Sequence, residues 1–134
     1  MSASEHTFAE DVLISGENID DYTAGEALTA RTPVAQTGNY TVTESSAGGE
    51  FTGVVAYDVA SGEEVAVIKR DCEVRVEVSE AVDAGDALSP AGSGQFAQAV
   101  SADGDSEVLI ANEDASGTGE LVEAEIVAAV GVTA

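Results

Sequence analysis

The residues that could do chemistry in this chain are few and far apart. It has one histidine, His6, and one cysteine, Cys72, so neither a His-based catalytic triad nor an ordinary zinc site can be assembled. Gly104-Asp105-Ser106-Glu107-Val108 sets a serine between acids, but a nucleophile elbow needs a second glycine and a following helix, and both are missing. Paired carboxylates could cleave a glycoside. With 26 acids, however, close pairs arise by accident, and the three tyrosines and three phenylalanines, with no tryptophan, are a poor supply for sugar binding. Asp20-Asp21 and Asp103-Gly104-Asp105 place carboxylates close enough for a hard cation, but neither continues into a calcium loop, so they read as solvated acidic turns. Asn39-Tyr40-Thr41 matches the glycosylation acceptor pattern. The expectation is a protein without enzymatic activity, with no catalytic residue, cofactor or metal.

The cations carry more information because they are scarce. Of four, Lys69, Arg70 and Arg75 fall within one segment and Arg31 lies elsewhere. Two readings stand: cross-strand pairing with Asp71, Glu73 or Glu77, or a contact surface where one acidic subunit approaches another without bare carboxylates opposed.

The element that carries these cations is a β segment. Within Gly53 to Val78, Val54, Val55 and Ala56 form a short apolar run, Ala60-Ser61-Gly62 a turn, and Val65 to Val78 a long β-branched stretch, which predicts strand, turn, strand. Cys72, Val74, Val76 and Val78 share one face and Glu73, Arg75 and Glu77 the other, the period of a half-buried strand. Cys72 is thus expected to be buried and inert. From Val65 to Ile68 both faces are apolar, as at the centre of a sheet or inside a closed barrel.

A second set of strands echoes the first. Asp83 to Ser89 repeats the pattern of Thr23 to Thr29, and Leu109 to Gly117 lines up on Val54 to Gly62 without a gap, including an identical Ala-Ser-Gly turn. An alternating strand follows each copy, Val65 to Val78 and Leu121 to Val130. This predicts a weak internal duplication in which two β units close one barrel or sandwich. No stretch shows a helical period. Pro33 interrupts a strand or sets it at an edge, and Val34 to Thr43 reads as two short strands around Thr37-Gly38-Asn39.

Length and charge bound the rest. A chain of 134 residues makes one domain, divided here into an N-terminal arm, 1–18, and a β-barrel domain, 19–134. The formal charge of -22 accompanies 44% hydrophobic residues, so the acidity decorates a folded domain. Such self-repulsion is tolerable at molar salt, where the screening length is about 3 Å. Carboxylates also argue against nucleic acid or membrane as partners. The acidic N-terminus has no secretory pattern, and the apolar run Ile126 to Val130 is too short to span a bilayer. Within the polar arm, Phe8 and the run Val12-Leu13-Ile14 form a sticky segment able to add as a strand to a neighbour or to its own sheet.

With these residues in view, the chain resembles the small capsid cement, or head decoration, proteins of tailed viruses. The likeness is carried by Ala24-Gly25-Glu26-Ala27-Leu28, by Gly53-Val54-Val55, by Gly62-Glu63-Glu64-Val65-Ala66-Val67 and by the Asp83 to Leu88 turn, and covers Gly16 to Val130. It implies an all-β barrel or β-tulip domain, a homotrimer on the outer surface of an icosahedral shell, contact with a major capsid protein, and no activity. The acidity then resembles that of a virus of halophilic archaea. On this reading the candidate contact residues are Phe8, Val12, Leu13, Ile14, Lys69, Arg70 and Arg75. Val82 to Leu88 is also similar to the turn of biotinyl and lipoyl carrier domains, but Lys69 lacks their flanking pattern. A halophilic cell-surface or adhesion module shares the β structure and acidity and is the alternative function.

Overall fold

A computed structural model describes residues 12–130, and these described residues are all-β, with one short 3-10 turn among them, Ser101–Asp103. Eleven strands follow one another: β1 (Leu13–Ser15), β2 (Ile19–Ala24), β3 (Pro33–Gly38), β4 (Thr41–Glu44), β5 (Gly53–Val55), β6 (Glu64–Ile68), β7 (Glu73–Glu77), β8 (Ala87–Pro90), β9 (Phe96–Gln98), β10 (Leu109–Ala111) and β11 (Leu121–Ile126). Strands β2-β4-β3-β5-β6 close a barrel, and β1-β7-β11-β10-β8-β9 form a six-stranded sheet. One apolar core runs through both, with Phe51 and Phe96 meeting edge to face at 5.9 Å.

The duplication is present throughout the backbone. If β1 is set aside, β2 to β6 and β7 to β11 have the same connectivity and pairing. The antiparallel register Ile19↔Ile68 through Thr23↔Glu64 recurs as Glu73↔Glu125 through Glu77↔Leu121. The pairs Val34↔Glu44 and Gln36↔Val42 recur as Leu88↔Gln98 and Pro90↔Phe96. The parallel pair Ala24↔Val42, which closes the barrel, recurs as the single bridge Val78↔Phe96, so the sheet curls almost shut. The first unit is therefore a closed five-stranded barrel and the second an almost closed copy of it, where the sequence suggested two halves of one.

The registers read from sequence need correction. Leu28↔Val59 and Val82↔Ala115 are equivalent bridges. Asp58 Oδ1 accepts from the Ala30 N–H as Asp114 Oδ1 does from Ala84. Val54 to Val59 thus matches Ile110 to Ala115, one residue from the gapless alignment, and the two Ala-Ser-Gly runs are not equivalent. Likewise Asp83 to Ser89 corresponds to Thr29 to Ala35. Small turn residues repeat cheaply in sequence, whereas hydrogen-bonded acids and left-handed residues fix the true register. Arg31 (φ 76) and Gly85 (φ 95) occupy the same left-handed position, each donating its N–H across to Val55 or Ala111.

The long strand expected from Val65 to Val78 is two strands in different sheets. Asp71, at φ 76, turns the chain between them, its N–H on the Ile126 carbonyl. The doubly apolar start, β6, lies inside the closed barrel, with Val65 to Ile68 all buried. In β7 the expected alternation holds: Cys72, Val74, Val76 and Val78 are fully buried and Glu73, Arg75 and Glu77 half-buried. The last strand ends at Ile126, short of Val130. Pro33 is the first residue of β3, where its missing N–H costs no ladder bond inside the strand.

Candidate functional site

The candidate contact residues gather at two places, the junction between the units and the β1 edge. Phe8 lies outside the described residues. At the edge, β1 adds antiparallel to β7, Leu13 opposite Val74, and the Arg75 N–H donates to the Val12 carbonyl at 3.0 Å. Val12 is wholly buried, Leu13 packs against the core, and Ile14 is 36% exposed. The apolar run is thus used mainly by the chain's own sheet. It is followed by Gly16, whose φ of 119 carries the backbone over Cys72. A Cβ there would stand 2.6 Å from Cys72 Sγ, so the crossing requires glycine.

The cations sit where the units meet. Lys69, just beyond β6, pairs with Asp20 on β2 at 3.0 Å and lies 5.6 Å from the centre of the Tyr22 ring. The hydrogen bond from Lys69 to Asp20 is the main reason its ammonium pKa is raised, ahead of burial, which opposes it. Lys69 therefore remains cationic through neutral pH. Arg75 pairs with Glu123, the residue directly across from it on β11, at 2.5 Å. Arg31 Nη1 donates to the Arg75 carbonyl at 3.0 Å, tying the first unit to the second. Arg70 stands most open: its side chain is 60% exposed, with Nε 3.9 Å from Asp71.

Sequence reasoning placed Arg75 on the outward face but named Asp71, Glu73 and Glu77 as acids for it, not Glu123. The missing information was the pairing of β7 with β11. Arg31 was set apart as the isolated cation, and only the fold carries it back to Arg75. Sequence reading also passed over Tyr40, a large aromatic 68% exposed at the end of the β3–β4 hairpin, tilted against Tyr22 at 5.8 Å. Its signal was an aromatic inside a turn, where small residues are usual.

Among the described residues, no three or more His, Cys, Asp or Glu side chains gather where they could hold a metal ion. The buried Tyr57 hydroxyl serves the fold: it accepts from the Ala66 N–H at 3.1 Å, and burial is the main reason its pKa is raised. The surface carries many acids, a few anchored cations, and exposed Ile14, Tyr40, Val100, Leu121, Val127 and Val130.

Comparison with known proteins adds a fold. No family model and no curated protein matches the chain. Among solved structures it is similar to the N base of the head fiber gp8.5 of bacteriophage phi29, with a TM-score of 0.64 and 17% identity, over 87% of this chain and 98% of that one. At that identity the likeness establishes shared all-β architecture.

Proposed function

We propose that this protein is a structural virion component that decorates and stabilises the outside of an icosahedral tailed-virus capsid. The observation that carries the reading is the fold: almost the whole of a phage head-fiber base superposes on this chain. It acts by association, as a homotrimer that binds between major capsid subunits and adds buried area that must be undone before the shell opens. The charge of -22 suits a salt-saturated milieu, and the source is a virus of halophilic archaea. The candidate contacts are Arg70 and Ile14, which are exposed, with the N-terminal segment around Phe8. No chemistry is assigned to it.

Purified protein mixed with shells at molar salt should sediment with them, and Arg70→Glu should reduce the bound fraction by about tenfold if this charge is desolvated in the contact. Protein that stays in the supernatant with every tailed-virus shell tried would leave the adhesion-module reading in its place.

A further inference from the structure

The duplicated units pack on each other in a way that leaves one set of contact surfaces used and the equivalent set open. The tip of the β8–β9 hairpin docks on the first unit: the Gly94 N–H donates to Glu44 Oε2 at 2.7 Å, and the Pro90 carbonyl accepts from the Gly48 N–H at 2.8 Å. Thr32 lies beneath, its Oγ1 3.5 Å from where a Cβ on Gly94 would stand. By the strand registers, Gln36 and Tyr40 on the β3–β4 hairpin are the equivalents of Pro90 and Gly94. Gln98 and the residues after it are the equivalents of Glu44 to Gly48.

Exposure follows that division. Pro90 is buried and Gly94 half-buried, but Gln36 and Tyr40 are exposed; Ser45 is buried, but Ala99 is half-buried and Val100 45% exposed. In a chain of -22, no charged residue occurs within the runs from Thr32 to Thr43 or from Ala87 to Ala102, and the acids at the second surface reach it from the sides, Glu80, Asp105 and Glu107 accepting from Gln98, Val100 and Ser101. Tyr40 adds a separate sign. It holds φ 47 where its counterpart Gly94 holds 77, so a strained backbone is kept to present an aromatic ring.

We propose that the β3–β4 hairpin of one copy docks head to tail on the surface around Gln98 to Ala102 of a second copy, reproducing between molecules the junction each molecule makes between its own units. Tyr40 is the anchor, and its phenol meets Asp86, the counterpart of Thr32. A head-to-tail contact closes into a ring or runs on as a filament; the homotrimer proposed above is one ring. The inference does not depend on capsid binding and is tested on the purified chain.

Two single substitutions, Gly38→Cys and Ser101→Cys, made in separate chains of different mass and mixed under oxidising conditions in molar KCl, should form a disulfide between unlike copies. Cys72 is buried and stays out of the reaction. Tyr40→Gly should weaken self-association about tenfold or more, as loss of an aromatic anchor does, while leaving the unfolding midpoint unchanged or higher. Three results would overturn the proposal. They are a wild-type chain that stays monomeric at high micromolar concentration, an oligomer indifferent to Tyr40→Gly, and a disulfide that joins G38C only to G38C.

Discussion

Asp71 shows how a residue can decide an element and stay hidden in the sequence. It takes a left-handed φ of 76 at the turn that ends the barrel and begins the sheet, where glycine is the residue that announces such a turn. Because Asp71 holds positive φ without being glycine, the break it makes was illegible, and Val65 to Val78 read as one strand, whereas the break at Tyr40 was legible from Gly38 beside it. The phase of β7 was legible, since burial alternates with period two from Cys72 to Val78 and each residue type reports its own face. Asp71→Gly is expected to raise stability by about 0.5–1 kcal/mol, the relief of left-handed strain exceeding the added freedom of the unfolded chain. The exposed pair with Arg70 that it removes contributes little. A denaturant midpoint that falls would show that the Asp71 side chain does something the backbone argument omits.

At the scale of elements, the sequence announced a duplication but misplaced it. Ala-Ser-Gly occurs twice by similarity of composition, whereas the equivalent turns are marked by acids that cap backbone N–H groups: Glu63 accepts from Ala60 and Glu120 from Ser116. A longer turn before β11 shifts the second copy, and no local signal tells a turn residue from an inserted one. The edge strand β1 was half legible. Its apolar run pointed to strand addition, but whether the edge belonged to this chain or another depended on β7 being open beside it. Val12→Ala should cost about 2 kcal/mol, because it opens a cavity in the core. Ile14→Ala, at a position 36% exposed, should cost well under half of that. Equal costs in chemical denaturation would mean that β1 does not pack as described. The contrast also bears on the arm: a truncation that removes Val12 tests stability along with binding, so one that stops at Asp11 is the cleaner probe of Phe8.

For the whole molecule, charge is the dominant fact and was legible from composition alone. The fold gives it a shape, for the acids line outer faces and in one place oppose each other directly, Glu73 across from Glu125. Like charges so placed are destabilising unless screened. Lowering KCl from molar to about 0.1 M lengthens the screening distance to roughly 10 Å, and circular dichroism should report loss of the β signal along that series. A fully folded chain at the lower salt would remove the halophilic reading while leaving the fold intact. Which shell the proposed contact would engage was never legible, because a contact surface is defined by its partner as much as by its own residues.

The central claim, that this chain is part of a virion's outer surface, is tested most directly by quantitative mass spectrometry of density-purified particles in high salt, before and after brief surface proteolysis. The prediction is many copies per particle, in fixed ratio to the major capsid protein, cleaved by protease while the packaged genome stays protected. Particles that contain no copy of this chain, or copies reached by protease only after the shell has opened, would contradict it.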